Sequence, residues 1–307
     1  MTISAVDAAA KVLGPLTTRD APLGARTTYR VGGNAALFVV ARELSDLRRV
    51  RTAVMETNID VLVVGKGSNM LVADAGFGGI AVTLEDALAD VQVVTGTDDN
   101  YVRAGGGRSF PEVARRAAAL DVGGLEWAVG IPGTVGGAVR MNAGGHGSDV
   151  ASCLRSWSFV DLRGGPDGER SVDQLSATYR HTAVGTAHVV TEAVFNVHPV
   201  APGAAEAKIA EIVRWRRENQ PGGQNAGSIF TNPEGDSAGR IIDACGLKGL
   251  RIGSAEVSPK HANFIQADRD GSADDVHALI REVQRRVLAA TGVALRTEVR
   301  MIGFSEP

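Results

Sequence analysis

Clustered glycine is the feature that most constrains the fold of this chain. Glycine makes up 38 of 307 residues, about 12%, where about 7% is usual. Many of these glycines lie in residues 65–79, 105–107 and 123–147, where Gly130, Gly133 and Gly136 recur at every third position. Because a Cβ would hold a flat ligand away from the backbone, the clusters predict segments that lie against a bound molecule. A tight crossing of two chain segments is the alternative.

The loop at residues 65–71 follows a short β-branched segment, as an anion-binding loop does. Successive backbone N–H groups in such a loop can form an anion nest, and Ser68 and Asn69 add side-chain donors. The loop is not a Walker A motif, and Met70 occupies the position of the third glycine of a dinucleotide fingerprint. A plain turn is the alternative.

A third polar segment, residues 225–233, places Ser228 directly after a glycine. Most serines in such loops are turn or cap residues. No Ser/His/Asp order and no GxSxG elbow supports a hydrolase nucleophile.

The overall composition excludes several classes of protein. The formal net charge of −3 argues against a nucleic-acid binder. Six histidines form no HxH or HExxH cluster, so we expect no metal site. The first residues lack a signal-peptide shape, and no apolar run approaches about 18 residues, so we expect no membrane span. The two cysteines fit a reducing, cytoplasmic compartment.

Hydrophobic periodicity predicts an α+β or mixed α/β protein. Strands are predicted at 35–41, 61–64, 80–84, 92–94, 101–104, 156–162 and 188–197, and around Glu298 and Arg300. Helices are predicted to begin at Ser45, at a Ser109/Glu112 capping box and after residue 204, where Ile209, Ile212 and Val213 share a face, and to span 272–291. A leader helix lies within residues 1–25, and a domain boundary is predicted at 200–204.

An ordered set of motifs resembles one family. The motifs are Gly65-x-Gly67-Ser68-Asn69-x-Leu71, Gly130-Ile131-Pro132-Gly133-x-Val135-Gly136-Gly137, Met141-Asn142-Ala143-Gly144, Tyr179-Arg180, Ala226-Gly227-Ser228-x-Phe230-x-Asn232-Pro233, Gly246-Leu247-Lys248-Gly249, Lys260-His261-Ala262-Asn263-Phe264 and Glu298-Val299-Arg300. The first two resemble flavin-domain motifs of the vanillyl-alcohol-oxidase type. The whole set, from about residue 27 to 303, is similar to the UDP-N-acetylenolpyruvoylglucosamine reductase (MurB) family, with the spacing of its shorter type II.

The resemblance implies a fold and a division into domains. The fold class is α+β: a vanillyl-alcohol-oxidase-type (PCMH-type) FAD-binding fold of two α+β subdomains, plus a C-terminal α+β substrate-binding domain. The implied division is a leader at 1–19, FAD-binding subdomains at 20–85 and 86–200, and the substrate-binding domain at 201–307.

The resemblance also implies a reaction in peptidoglycan precursor synthesis, in the cytoplasm. NADPH, as co-substrate, would reduce non-covalently held FAD, and hydride from the flavin would reduce enolpyruvyl-UDP-N-acetylglucosamine to UDP-N-acetylmuramate. No nucleic acid is an expected partner, and no protein partner can be named.

Each site residue is carried over from a matching motif. The catalytic residues implied are Arg180 and Glu298, which stabilise the enolate, and Ser228, which donates the proton. The FAD contacts implied are Gly65, Lys66, Gly67, Ser68, Asn69, Leu71, Gly130, Ile131, Pro132, Thr134, Gly136, Gly137 and Asn142. The substrate contacts implied are Tyr179, Asn232 and Arg300. Either Arg216 or Arg217 is a candidate for the diphosphate, and the role of His261 stays open.

Two other functions fit part of the pattern. Another FAD-dependent oxidoreductase of the same fold, acting on an alcohol or hydroxy acid, would explain the first two glycine clusters. A nucleotide-sensing protein would use the loops only to hold a ligand.

Overall fold

The computed structural model describes residues 4–97 and 99–304, which form two compact units. The first unit comprises residues up to 19 together with 37–66 and 79–216. The second comprises residues 20–36, 67–78 and those from 217 onward. The predicted leader and C-terminal domain each include three terminal residues outside the described ranges, and the predicted domain division stays a prediction.

The predicted helices and strands correspond closely to the observed ones. Within the described residues the helices are α1 (Ala5–Leu13), α2 (Leu44–Thr57), α3 (Phe110–Ala118), α4 (Val135–Arg140), α5 (Val150–Cys153), α6 (Ala204–Asn219), α7 (Ala238–Ala244) and α8 (Ala273–Thr291). The strands of the first two-thirds of the chain are β1 (Thr17–Ala21), β2 (Ala35–Ala41), β3 (Val61–Val63), β4 (Met70–Val72), β5 (Phe77–Leu84), β6 (Val91–Val94), β7 (Tyr101–Gly105), β8 (Val122–Gly123), β9 (Gly144–Gly145), β10 (Ser148–Asp149), β11 (Leu154–Asp161), β12 (Gly168–Ser171), β13 (His188–Asn196) and β14 (His198–Pro199). The remaining strands are β15 (Arg251–Ile252), β16 (Ala255–Val257), β17 (Ile265–Ala267) and β18 (Arg300–Ile302). Four of these strands form one sheet, with the strand order β1-β2-β5-β3.

An antiparallel sheet with the strand order β12-β11-β13-β7-β6 is the framework of the first unit. Its core contains Phe110, which packs against Trp127 and Phe195 with ring centroids 5.5 and 5.4 Å away. Ile209 and Ile212 of α6 join this core, whereas Val213, which the sequence places on the same face, is 39% exposed.

Two predicted helix starts are wrong in detail, for local electrostatic reasons. Helix α2 begins at Leu44 rather than Ser45, because the Asp46 carboxylate accepts hydrogen bonds from the N–H groups of residues 42 and 43. Ser109 precedes α3 but makes no side-chain cap. The predicted box does not form, and Glu112 instead pairs with Arg108 at 3.2 Å.

The second unit is built around α8 and the sheet β15-β16-β17. The predicted apolar stripe of α8 is buried: Val276, Leu279, Ile280, Val283 and Val287. Ser272 caps the first turn of α8, assisted by the Asp74 carboxylate, which accepts from Ala273 N–H at 3.0 Å. Gly292 ends the helix with a φ of +74°, as the sequence predicts.

The strand predicted around Glu298 begins later than expected. Parallel pairing of β18 with β4 starts at Arg300, opposite Met70. The expected alternation nevertheless holds, because Val299 is buried while Glu298 and Arg300 are half-buried. In the described part of the chain, no helix is both long and apolar enough to cross a membrane.

Several glycines of the first unit are required by backbone crossing rather than by a ligand. A Cβ on Gly106 would lie 1.8 Å from the Val190 carbonyl oxygen, and one on Gly107 would lie 2.5 Å from that of Leu84. No side-chain rearrangement can relieve an overlap with backbone. For residues 105–107, the crossing of backbone segments therefore accounts for the glycines without a ligand.

Gly106→Ala is expected to destabilise the protein by about 3 kcal/mol or more, because the added methyl group meets backbone. Gly168→Ala is the matched control, because a Cβ there meets nothing within 4 Å. Urea unfolding of both variants measures the difference. Equal stability of the two would contradict the crossing explanation.

Candidate active site

The first two glycine clusters approach each other in the first unit. A Cβ on Gly65 would lie 2.6 Å from Thr134 Oγ1, so only glycine permits this approach. Thr134 is the N-cap of α4, and its Oγ1 accepts a hydrogen bond from Gly137 N–H at 3.3 Å. Gly136 N–H donates to the Gly106 carbonyl at 2.8 Å. These contacts fix the backbone of the loop that precedes α4.

The residues of the first unit fit a flat nucleotide cofactor. Within the described residues, the exposed Gly65 and Lys66 donate no hydrogen bond from their backbone N–H groups. Gly137 is also exposed, and a Cβ on it would meet only Thr134 Oγ1 at 3.4 Å. Two unused donors and a bare patch of backbone are what a phosphate-bearing planar ligand needs.

Arg180 lies at the tip of a tight turn in the first unit. Thr178 and His181 exchange two backbone hydrogen bonds, of 2.9 and 3.2 Å, so Tyr179 and Arg180 are the two central residues. Arg180 has a φ of +58°, a left-handed conformation that side-chain-bearing residues rarely adopt. Strain of this kind persists where the surroundings hold it, and it is common at functional sites.

The Arg180 guanidinium contacts a backbone carbonyl and an aromatic ring. Its Nη1 donates to the Gly144 carbonyl at 3.1 Å, and its Cζ lies 5.3 Å from the centre of the Tyr179 ring. Tyr179 is 60% exposed, so its ring is accessible to a ligand.

Asn142 is buried, and both polar atoms of its side chain are hydrogen-bonded. Its Nδ2 donates to the Thr178 carbonyl and to Asp149 Oδ2, both at 3.2 Å. Its Oδ1 accepts from Ala151 N–H at 3.0 Å. The amide therefore connects three parts of the first unit.

In the second unit, Ser228 begins a segment that is held from both sides. Ile229 N–H donates to the Asn263 carbonyl at 2.9 Å. The buried Asn263 side chain accepts from Phe230 N–H at 2.9 Å and donates to the Phe230 carbonyl at 2.8 Å. Ser228 itself is half-buried, so its hydroxyl group is placed by a rigid backbone.

Glu298 lies beside this segment. Its N–H donates to the Ile229 carbonyl at 2.7 Å, and its carbonyl accepts from Asn69 Nδ2 at 3.1 Å. Asn69 in turn accepts from Arg300 N–H at 3.1 Å. The second unit therefore brings together Ser228, Glu298 and the final part of the 65–71 loop, which lie far apart in the sequence.

The other predicted residues of the second unit have more varied surroundings. Arg300 is half-buried, burial lowers the pKa of its guanidinium, and no ion pair to it occurs among the described residues. Asn232 is exposed, and its Oδ1 accepts from Ala238 N–H at 3.1 Å at the start of α7. The Gly67 carbonyl accepts from Thr28 N–H at 3.3 Å, and Leu71 is buried in the core.

Two residues left open by the sequence have structural contacts. Arg216 donates to the Gly130 carbonyl, and burial lowers the pKa of its guanidinium. His261 Nδ1 accepts from Asn263 N–H at 3.2 Å, and burial lowers the pKa of its imidazole. His261 thus supports Asn263, which sequence reasoning quoted in a motif but assigned no role. A buried amide that spans both sides of one residue has no signature in a single sequence.

The class of protein follows from a match to known domains. Residues 35–165 match the profile of the FAD binding domain, which contains both glycine clusters of the first unit. The chain is therefore a FAD-binding protein, and the predicted cofactor is confirmed. Residues 219–302 match the C-terminal domain of UDP-N-acetylenolpyruvoylglucosamine reductase.

Relatives and a solved structure define the family more closely. A UDP-N-acetylenolpyruvoylglucosamine reductase of Synechococcus sp. is 40% identical over 93% of both chains, and that of Paramagnetospirillum magneticum is 40% identical over 93% of this chain and 91% of its own. The crystal structure of the Thermus caldophilus reductase is 31% identical, with a TM-score of 0.80 over 93% of this chain and 98% of its own. The chain belongs to the UDP-N-acetylenolpyruvoylglucosamine reductase family, and the predicted family and α+β fold are confirmed.

The left-handed backbone of Arg180 predicts an unusual order of stability. Arg180→Gly and Arg180→Ala lose the same side chain, but only alanine keeps the strain. We expect the glycine variant to be more stable by about 1 kcal/mol. The same pair at Arg116 in α3 is the control, where alanine should be more stable by about 1 kcal/mol. Urea unfolding checks both pairs, and the same order at both positions would contradict the prediction.

Proposed function

We propose that this protein reduces the enolpyruvyl ether of UDP-N-acetylglucosamine to UDP-N-acetylmuramate, with NADPH as the reductant. Family membership over nearly the whole chain supports this function. The observation that carries it is in the second unit, where the Glu298 backbone is hydrogen-bonded to Ile229, the residue after Ser228, and to the side chain of Asn69, so that the three motif segments lie side by side. FAD, when bound, would supply the hydride, with NADPH as its source.

The glycine loops would hold the cofactor. The backbone N–H groups of Gly65 and Lys66 would donate to phosphate oxygens, because they have no partner among the described residues. The bare face of Gly137 would lie against the ligand. The remaining proposed contacts are Gly67, Ser68, Asn69, Leu71, Gly130, Ile131, Pro132, Thr134 and Gly136.

Arg180 would stabilise the charge that develops on the substrate. Hydride adds to one carbon of the enolpyruvyl double bond, and the electron pair moves to the adjacent carbon and its carboxylate. A guanidinium presents a planar fork that matches a carboxylate. Its fixed position beside the Gly144 carbonyl favours stabilisation without reorganisation.

Ser228 would donate the proton that completes the reaction. The proton of its hydroxyl group transfers to the enolate carbon and balances the added hydride. A serine is a weak acid, but an enolate carbon is a strong base, so the transfer depends on geometry. Hydrogen bonds to the following residues, Ile229 and Phe230, supply that geometry.

Glu298 would assist Arg180 in stabilising the enolate, and three further residues would bind the substrate. Arg300, half-buried and without an ion pair in the described part of the chain, is the strongest candidate for an anionic group of the substrate. The exposed Tyr179 and Asn232 would contact the rest of it.

The finer assignments also belong to the proposal. The protein would act in the cytoplasm, consistent with two free cysteines, and would belong to the shorter type II of the family. The proposed domains are residues 20–85 and 86–200 for FAD and 201–307 for the substrate. An NADPH-oxidation assay with the enolpyruvyl substrate tests the function, and oxidation that does not depend on substrate would overturn it.

Ser228→Ala is expected to reduce turnover on the order of 10³-fold, because general acids contribute about 10²–10⁴-fold. FAD binding and flavin reduction by NADPH should be unchanged. Rapid mixing with NADPH and with substrate separately resolves the two half-reactions. Ser45→Ala, at the exposed start of α2, is the control. Undiminished reoxidation of the flavin by substrate in Ser228→Ala would exclude the role.

Gly137→Ala tests separately whether this position contacts the ligand and whether it affects the stability of the fold. Alanine inside α4 should stabilise the FAD-free protein by about 0.5–1 kcal/mol, because the Cβ meets no backbone. FAD affinity should nevertheless fall, because the methyl group occupies the ligand's place. Unfolding of the FAD-free protein and titration with FAD measure the two effects, with Gly168→Ala as control. Unchanged affinity in Gly137→Ala would contradict the contact.

A further inference from the structure

We infer that Asn142 and Thr182 are positioning residues for Arg180, and that Asn142 does not contact FAD. The inference rests on the proposed function, because it presupposes a catalytic role for Arg180. It departs from the sequence-based expectation, which placed Asn142 among the FAD contacts. The reason lies in the contacts between residues 140–144 and residues 178–182, all within the first unit.

Three hydrogen bonds connect these two segments at alternate residues of the second. They run from Asn142 Nδ2 to the Thr178 carbonyl at 3.2 Å, from Arg180 Nη1 to the Gly144 carbonyl at 3.1 Å, and from Thr182 Oγ1 to the Arg140 carbonyl at 2.7 Å. We call this set of bonds the clamp. It holds Arg180, which has the strained backbone, and the residues two positions before and after it, Thr178 and Thr182.

Two side chains of the clamp, those of Asn142 and Thr182, are buried and use their hydrogen-bond donors within the protein. Asn142 and Thr182 are each 5% exposed. Both donors of the Asn142 amide are used, and its oxygen accepts from Ala151. Thr182 Oγ1 also accepts from Val184 N–H at 3.3 Å, so the hydroxyl group acts as donor and acceptor. Neither side chain therefore has an unused hydrogen-bond donor for a cofactor.

The clamp addresses a specific energetic problem. The left-handed conformation costs a non-glycine residue about 1–2 kcal/mol. Without restraint, Arg180 would therefore adopt another backbone conformation. The bonds at Thr178 and Thr182 fix the ends of the turn, and the Gly144 carbonyl fixes one guanidinium nitrogen. Because the guanidinium is planar, holding Nη1 at a backbone carbonyl also sets the direction of the other terminal nitrogen, Nη2. Because a displacement of about 1 Å can cost about 100-fold in rate, this placement matters for catalysis.

The experiment compares clamp variants in the FAD-loaded enzyme. Thr182→Val keeps the shape and removes the donor, while Thr182→Ser keeps the hydroxyl group. Asn142→Gly removes the amide and suits the backbone, because Asn142 has a φ of +39°. Thr57→Val is the matched control, since Thr57 Oγ1 donates to the Ala53 carbonyl at 2.6 Å within α2.

Thr182→Val and Asn142→Gly are expected to slow flavin reoxidation by substrate about 10–100-fold. Flavin reduction by NADPH, the FAD dissociation constant and the flavin absorption spectrum should change less than about twofold. Thr182→Ser should restore most of the rate, and Thr57→Val should leave it unchanged. In an Arg180→Ala background, Thr182→Val should slow reoxidation less than about twofold, because the residue it positions is gone.

Two results would overturn the inference. One is an equal loss of reoxidation rate from Thr182→Val with and without Arg180. The other is a raised FAD dissociation constant in Asn142→Gly with normal reoxidation, which would restore the cofactor contact. Should Thr182→Val not fold, the same cycle with Asn142→Gly decides. Failure of the proposed function is distinct, because substrate would then not reoxidise the reduced flavin of the wild-type enzyme, whereas failure of the role of Arg180 alone would leave Arg180→Ala with the wild-type rate of flavin reoxidation.

Discussion

Close packing of backbone on backbone is the constraint on which the flavin-binding unit depends. The Val190 carbonyl occupies the space that a side chain at residue 106 would need, and the same glycine's carbonyl receives the N–H of Gly136. The loop before α4 is therefore fixed by the sheet, not by a ligand. Glycine has two uses in this unit: buried glycines permit the crossing, and the exposed Gly137 leaves backbone uncovered. In the amino-acid composition, both uses contribute to the same excess of glycine.

The order of helices and strands could be predicted from the sequence because it depends on local patterns. The stripe of α8 repeats at helical spacing, and Gly292 marks its end, so both were predictable. The capping of α3 was not, since Glu112 could bond to Ser109 or pair with Arg108, and only the folded geometry selects the ion pair. Val213 shows the same limit, because the width of a buried helix face depends on what packs against it.

For the candidate site, residue identities were available from motifs but their partners were not. Asn69 and Glu298 stand 229 positions apart in the sequence, yet parallel pairing of β4 and β18 places them in contact. Two strands that pair in parallel are joined by a long connection, so the local sequence does not indicate the register of their pairing. Asn263 illustrates the converse case. It binds no ligand in our proposal, yet without its side chain Phe230, two residues after Ser228, would lose both hydrogen bonds to that amide.

The positions of Arg180 and Ser228 show two ways of holding a reactive side chain. The segment after Ser228 is held by hydrogen bonds from Ile229 and Phe230 and by an isolated bridge between Phe230 and Thr297, so its precision comes from several ordinary contacts. Arg180 instead lies in a left-handed turn, where its own backbone preference opposes the observed conformation. Other residues must therefore hold Arg180 in place. A buried amide and a buried hydroxyl group are suited to this, because losing a hydrogen bond costs more in a low-dielectric interior than on the surface. A strained residue with a proposed catalytic role therefore requires buried polar support, although polar groups in a core are costly where they serve no such purpose.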